Sequence, residues 1–536
     1  MKKLVLRIAV TLVVVSSLVL ASCTTLTTST TTVFTTEPTT TISTEPTTTK
    51  TDPGQVVNFP DSYLLYYVRQ QIGHAGDIYT SDLIGLTTLR ASNSGISNLS
   101  GLEYCPNLSY LDLQSNKISD ISPLASLTKL TTLNLNNNKI FGISGLATLT
   151  NLTVLNLSNN QIYNISPLSS LTKLTTINLG YNQITDIHGL AQLTNLNVLD
   201  LCMNQITDTQ SLSELNSLTT LNLSNNKISG VSAIVSLPNL KILSLNSNRI
   251  STILPFVSLN QLITSNLASN QIIDISELAS LSNLIYLDLS YNQISNISPL
   301  VSLNKLTELK LNANQIIDIS SLASLNNLTF LELDGNQISD ISSLAFLNKL
   351  TQLKIGNNKI NDIAVLSDIP SLTLLELYGD EIIDISSLRS LTNLTTLQLT
   401  NNQISDISPL ASLTKLTTLE LASNRITNIS PLALLTRLFH LNLGGNQIID
   451  VSPIASLTGL ERLWLNNNQI SNISALASLN QLYILDLRNN LIIDVSPLLN
   501  NIGLSTDDLV LLSSNPMSNS SVEAYNQLRK RGVIIR

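Results

Sequence analysis

The sequence predicts an α/β solenoid in which a short parallel strand and a short helical turn alternate with a 22-residue period. Three observations predict it. The stretch Leu130-Thr-Thr-Leu133-Asn-Leu135-Asn-Asn-Asn138-Lys-Ile140 returns one period later as Leu152, Leu155, Leu157, Asn160 and Ile162, and one period earlier as Leu108, Leu111, Leu113, Asn116 and Ile118. The frame runs without insertion from Leu86 to Leu491, giving nineteen units whose ninth positions fall from Ser94 to Asn490. Hydrophobic residues make up 43% of the chain but aromatic ones only 4%. That composition describes an aliphatic core repeated along one axis rather than several globular domains.

Each position has a physical assignment. Positions 4 and 6, such as Leu133 and Leu135, share one face of a strand. Strands this short bury themselves only by stacking, roughly 4.8 Å apart, so nineteen of them extend on the order of 90 Å. Leucines at positions 1, 4, 6, 17 and 20, with isoleucines at 11 and 14, fill a continuous interior. Asn at position 9, where the strand turns away, both donates and accepts, and is expected to satisfy backbone groups of its own turn and the next. On the opposite side many units open with Ser-Pro, as at Ser122-Pro123, Ser166-Pro167 and Ser408-Pro409. Ser suits a helix N-cap and Pro the first helical position, so a short 3₁₀ or α turn is expected there.

The run L-x-x-L-x-L-x-x-N-x-I-x-D-I-x-x-L-x-x-L resembles the 22-residue leucine-rich repeat of bacterial internalin-like proteins, over about residues 86 to 515. The resemblance implies a horseshoe with a parallel β-sheet on its concave face, 3₁₀ or α turns on its convex face, and caps at both ends. For function it implies adhesion or partner capture without naming a partner, since one scaffold serves many.

The expected organisation, in order, begins with a signal peptide over 1–22. Lys2 and Lys3 precede the apolar run Leu4 to Leu20, a targeting segment rather than part of the fold. Leu20-Ala21-Ser22-Cys23 looks like a bacterial lipobox, which implies cleavage before Cys23 and a lipid on its thiol. Ordinary secretory cleavage and an uncleaved anchor are the alternatives. A Thr-rich tether is expected over 23–52. Seventeen of the 28 residues from Thr24 to Thr51 are Thr, too polar to fold and able to reach at most about 95 Å. It reads as a spacer or as an O-glycosylated stalk. Residues 53–85 read as a helical cap, with Asp61 capping a helix of Leu64, Leu65, Val68 and Ile72 that Gly73 stops. The repeats span 86–503. Residues 504–536 hold a degenerate last unit ending at Asn515, a helix over Ser520 to Lys530 with Val522, Tyr525 and Leu528 inward, and a last strand in Val533-Ile534-Ile535. Closed ends and no sorting motif lead to the expectation of a complete chain anchored by lipid alone.

Composition narrows the function. The chain has 28 basic and 36 acidic residues, three of the basic ones before Cys23, which leaves 25 against 36, a formal charge of −11, on the exported part. Such a chain is a poor nucleic-acid ligand. Of the three cysteines, Cys23 is the lipid attachment, Cys105 stands at position 20 in place of Leu, and Cys202 at position 7 lies on the open face. The last two are too far apart for a disulfide. His74, His188 and His440 do not converge, and no phosphate loop or nucleophile set is present. The expectation is therefore no enzyme, no cofactor and no metal. Asp318, Asp340, Asp362, Asp384 and Asp406, at position 13 of five successive units, read either as turn caps or as calcium ligands bridging units.

Positions 3, 5, 7 and 8 are expected to point outward from the sheet. In the N-terminal half they are small and polar: Thr132, Asn134, Asn136, Asn156, Ser158, Thr220, Asn222 and Ser224. Later they become Tyr286, Asp288, Tyr291, Glu308, Lys310, Phe330, Glu332, Asp334, Lys354, Glu376 and Tyr378, then Arg462 and the single Trp464, with His440 and Arg488 nearby. Aromatic residues and Arg dominate protein interfaces. From this set Tyr286, Tyr291, Glu308, Lys310, Phe330, Glu332, Lys354, Glu376, Tyr378, Arg462 and Trp464 are taken as partner-binding. The expectation is an exported, lipid-anchored monomer binding a protein or glycan. The alternative is a structural envelope protein with no dedicated ligand. Three departures stand out: Ser94, next to the cap, and Asp380 replace Asn at position 9, and Ser265 replaces Leu at position 4. They are expected to be local soft points, the alternative being a bend that serves binding.

Overall fold

The computed structural model describes residues 54–536, so the expected signal peptide, lipid-attachment Cys23 and tether lie outside the described residues. The described chain divides into two compact units, one ending at Gln271 and the other beginning at Ile272.

The first unit opens with helix α1, Ser62–Ile72. Asp61 caps it, accepting the N–H groups of Tyr63 (3.0 Å) and Leu64 (3.1 Å), and Gly73 ends it at φ 68°. The second carboxylate oxygen of Asp61 accepts the N–H groups of Ser97 (2.8 Å) and Asn98 (3.1 Å). One side chain therefore starts the helix and pins it to the first repeat. A single turn, α2, Thr80–Leu83, follows. Nine parallel strands then run from β1, Thr88–Arg90, to β9, Thr264–Asn266. The second unit begins with β10, Tyr286–Asp288, and continues strand by strand to β19, Ile484–Asp486, then β20, Leu509–Leu511. Helix α3, Asn519–Lys530, and the last strand β21, Ile534–Ile535, close it.

Every repeat strand occupies positions 3 to 5 alone, and each residue pairs with its counterpart one period on, as in Tyr286↔Glu308 and Glu308↔Phe330. The turns between strands are 3₁₀, as at Ser122–Ser126, Ser298–Ser302 and Ser408–Ser412, each with Pro near its start. Leu133, Leu135, Ile140, Leu146 and Leu149 are fully buried and repeat as such along both units. A solvent-free aliphatic interior is thus shared between successive turns, none of which could bury its own leucines alone.

Four features differ from the sequence reading. First, Ser does not cap the 3₁₀ turns. The residue at position 13 does, its side-chain oxygen accepting the N–H two residues on: Asp318 from Ser320 (2.8 Å), Asp340 from Ser342 (2.8 Å), Asp384 from Ser386 (2.8 Å) and Asp406 from Ser408 (2.8 Å). Asn does the same in other units, as Asn164 to Ser166 at 2.9 Å, so the position needs an oxygen, not a charge. Second, the Asn ladder reaches the preceding unit rather than the next. Asn314 Oδ1 accepts the N–H of Ile294 at 3.0 Å, and its Nδ2 donates to Leu289 O at 3.0 Å and to Leu311 O at 3.1 Å. Third, Val522 is 56% exposed and the buried face of α3 is Ser521, Ala524 and Leu528. The Ser521 hydroxyl, donating to Ile493 O at 2.8 Å, fixes that rotation. Fourth, position 8 is left-handed in all nineteen units, with φ from 50° to 71°. Asn, Ser and Gly prevail there because they tolerate that backbone, not because the position is free.

Ser265 is buried with no hydrogen-bond partner for its hydroxyl, a polar defect in an otherwise aliphatic row.

Candidate functional site

The strand geometry sorts side chains into three rows on the sheet face, positions 3, 5 and 7. Position 5 is less free than alternation suggests. Where it is Asn or Asp, its side-chain oxygen accepts the N–H of position 7 in the same unit: Asn156 from Ser158 (3.1 Å), Asn222 from Ser224 (3.1 Å), Asp200 from Cys202 (2.9 Å) and Asp288 from Ser290 (3.0 Å). Asn134, Asn156, Asp200 and Asn222 are buried by this arrangement, with Ser158 and Ser224 beside them. Cys202 is buried too, not open. The polar face of the first unit is therefore largely backbone capping.

In the second unit Asp288, Asn442 and Asp486 keep this device, but from Lys310 onward through Glu420 it is replaced. Position 5 reads Asp288, Lys310, Glu332, Lys354 and Glu376 across five adjacent strands. The charges alternate in sign along the row. Lys354 Nζ lies 3.3 Å from Glu332 and 3.9 Å from Glu376, and Lys310 Nζ lies 3.8 Å from Glu332. Lys310 also sits over the Phe330 ring, 5.3 Å from its centroid. The position-7 N–H groups then take other partners: Asp334 N–H donates to Asn312 Oδ1 at 3.0 Å, and Gly356 N–H to Asp334 Oδ1 at 2.7 Å. Burial, then nearby carboxylates, push Asp334 up to about 6. Burial raises Glu308 and Glu376 as well.

The anchors expected from sequence are not equally presented. Tyr286 is only 4% exposed and Glu332 only 8%. Both are corrections, since alternation away from the core predicts exposure. Strands at this spacing crowd a long side chain between its row neighbours, and the Tyr286 hydroxyl lies among Asp288, Glu308 and Glu332, with burial raising its pKa. Glu308, Lys310, Phe330, Lys354, Glu376 and Tyr378 are half-buried, and Tyr291 is fully presented at 62%.

A second cluster lies farther along the same unit. Trp464 pairs in register with Asn442 on one side and Asp486 on the other. The His440 ring lies 4.7 Å from the Trp464 ring, tilted by 41°, and its Nε2 is hydrogen-bonded to Glu420. Asp486 is buried and holds Arg488 through two bonds, 2.9 Å to Nε and 2.5 Å to Nη2. Arg462 packs over Tyr483, 6.0 Å from its ring centroid, and has no carboxylate partner among the described residues. Glu420 and Arg488 complete the cluster. Sequence spacing marks Arg488 but misses the Glu420–His440–Trp464 chain, because its contacts run diagonally between positions 5 and 3 of adjacent strands, at intervals of 20 and 24 residues rather than one period.

Comparison with known proteins gives three results. A family model described as Leucine Rich repeats (2 copies) matches in overlapping stretches that span 84–214, 216–259, 266–371, 392–434 and 436–500. Among solved structures, an internalin, InlF, from Listeria monocytogenes is 32% identical over 76% of this chain and 95% of its own, with a TM-score of 0.36. The functional domain of InlJ from Listeria monocytogenes, described as including a cysteine ladder, is 26% identical over 72% of this chain and 79% of its own, with a TM-score of 0.58. The plant peptide hormone receptor RGFR1 in complex with RGF2 is 21% identical over 86% of this chain and 95% of its own, with a TM-score of 0.51, a likeness of fold. No curated protein matches.

Proposed function

From the premise that this chain belongs to the leucine-rich repeat family, with repeats of the internalin-like kind, we propose that it is an exported, lipid-anchored protein that captures a protein partner on the sheet face of its second unit. The observation that carries this reading is the change at position 5. Over much of the chain that position holds a short Asn or Asp that caps its own strand end. From Lys310 to Glu420, and again at Trp464, it holds a longer side chain that caps nothing in its own unit. Phe330, Tyr378, Tyr291, Arg462 and Trp464 add the aromatic and guanidinium groups that supply most interface energy. The strands from β10 to that of Glu376 span roughly 20 Å, part of a standard interface.

The anchor rests on Leu20-Ala21-Ser22-Cys23. Among the described residues no helix is long and apolar enough to cross a membrane. Cys23→Ala is expected to leave the protein unprocessed or to release it from membranes, read by fractionation and gel mobility. Behaviour identical to the parent would remove the lipid from the proposal.

The binding reading is tested by quantitative capture. The parent chain and a Tyr378→Ala/Trp464→Ala variant are displayed on cells and cross-linked to neighbouring proteins. Partners retained by the parent and by Thr132→Ala, but lost by the double variant, are the expected result. Equal retention by all three would favour a structural envelope role, which the capping Asn-rich face of the first unit already suits.

A further inference from the structure

The second unit's sheet face carries charges of opposite sign at its two ends, and at each end the fold leaves some of them unneutralised. Of the five basic side chains on this face, four are already committed: Lys310 and Lys354 to Glu332, and, toward the Trp464 end, His440 to Glu420 and Arg488 to Asp486. The fifth, Arg462, has no carboxylate among the described residues, and its Nε is buried with no hydrogen-bond partner. A buried guanidinium donor without an acceptor is destabilising, and Arg presents a planar fork that suits a carboxylate. Trp464, next to it on the same strand, offers an aromatic surface steadied by His440.

Toward the Tyr286 end the imbalance is reversed. Lys310 and Lys354 are shared with Glu332 and Glu376, while Glu308 and Asp334 make no ion pair among the described residues. Their surroundings are aromatic: Phe330 pairs in register with Glu308, and Tyr378 lies on the same row as Asp334, two strands on. The unpaired Arg462 and these unpaired carboxylates sit on one sheet, seven strands apart from β11, Glu308–Lys310, to β18, Arg462–Trp464. At about 4.8 Å per strand that is roughly 34 Å, the reach of an extended segment of about ten residues.

We infer that the partner segment captured on this face is a charge-polarised peptide stretch of about ten residues, acidic where it meets Arg462 and Trp464 and basic where it meets Glu308 and Asp334. The inference rests on the capture reading and deepens it by giving the partner's chemistry. A uniformly basic segment leaves Arg462 without an acceptor, and a uniformly acidic one opposes Glu308, Glu332 and Asp334. Only a segment with both signs, separated by the span between the clusters, answers both ends.

The test uses the full-length protein and fluorescent ten-residue peptides. One carries three lysines and three glutamates separated by a Gly-Ser spacer. The others replace one charged end by Ser, and an acidic oligogalacturonate is the non-peptide probe. The two-sign peptide is expected to bind at least tenfold tighter than either single-sign peptide, with affinity falling as salt rises. Arg462→Gln should abolish the advantage contributed by the glutamates and leave that from the lysines. Glu308→Gln with Asp334→Asn should do the opposite. Equal binding of all peptides, insensitivity to these variants, or Arg462-dependent binding of the oligogalacturonate alone would overturn the inference. If the two-sign peptide fails while Tyr378→Ala/Trp464→Ala still loses cross-linked partners, the polarity is wrong and the capture reading stands. If that loss is also missing, both fall.

Discussion

Asp380 accepts the N–H of Ile360 at 3.2 Å through one carboxylate oxygen while its other oxygen, buried, has no hydrogen-bond partner. At the equivalent place Asn314 accepts the N–H of Ile294 and its amide donates to two carbonyl groups of adjoining strands. Asp380 keeps the accepting half of the ladder and loses the donating half. Ile355 O still receives Asn358 Nδ2 at 2.9 Å, and Leu377 O receives Asn402 Nδ2 at 2.7 Å, so each carbonyl retains one side-chain donor of its usual two.

The first prediction follows from that half-made rung. Burial pushes the Asp380 carboxyl up to about 6 from 3.8. The folded state therefore holds a proton between those values that the unfolded state releases. Its contribution to stability is fully present below about pH 4 and is lost as pH rises through 6. Asp380→Asn replaces the carboxyl by an amide that donates at every pH. The variant should be more stable than the parent at pH 7, by on the order of 1–2 kcal/mol after allowance for solvent screening, and nearly equal at pH 4. Urea midpoints at the two values check it. A stability difference that does not change with pH would show that this carboxyl does not titrate in that window.

The second prediction concerns an intact rung. Asn314→Leu keeps the branching of the side chain but leaves the Ile294 N–H without its acceptor and removes a donor from Leu289 O and Leu311 O. Each stranded group costs about 1–3 kcal/mol, so a loss of roughly 2 kcal/mol or more in denaturant unfolding is expected. An unchanged midpoint would mean that water replaces the amide at no cost.

The repeat was legible because its cause is local and periodic. Leu133 and Leu135 are buried for the same reason as their counterparts in every unit, and Asn138 announces its turn. The site was less legible, because exposure on a sheet face depends on neighbours from other strands. Alternation places Tyr286 on the solvent side, yet its row neighbours cover it. Alternation also treats Asn156 as free, yet it captures the Ser158 N–H. Position 8 hid a backbone requirement in its composition: Asn137, Ser247 and Gly335 all sit at positive φ. The Glu332 ion pairs with Lys310 and Lys354 become visible only when residues one period apart are read as touching.

The third prediction separates folding from display. Tyr286→Ala empties a buried site and should cost roughly 3 kcal/mol of stability. Tyr291→Ala, at a fully presented position, should be nearly neutral, since Ala meets the same left-handed backbone and Ala313 already occupies it in the next unit. Thermal melts of both variants check the contrast. Similar losses at the two positions would contradict the burial difference between them.

The fourth prediction concerns which face residues carry capture. Tyr378 and Trp464 are half-buried and neither is part of the aliphatic interior. Substituting either by Ala should leave the melting temperature within a few degrees and weaken partner binding by about 1–2 kcal/mol each. Trp464→Ala also removes the ring against His440, so the His440–Glu420 pair should become more mobile, visible as a change in the His440 imidazole resonances. The control must be chosen by structure rather than by composition. Asn156 and Asn222 lie on the same face but hold the N–H groups of Ser158 and Ser224, so their loss would be read in folding and would confuse the comparison. Thr132 is half-buried, and in its unit the capping is done by Asn134, which makes Thr132→Ala the proper reference. Binding lost equally at Thr132, or lost at Trp464 only in proportion to unfolding, would move the capture site away from the second unit's face.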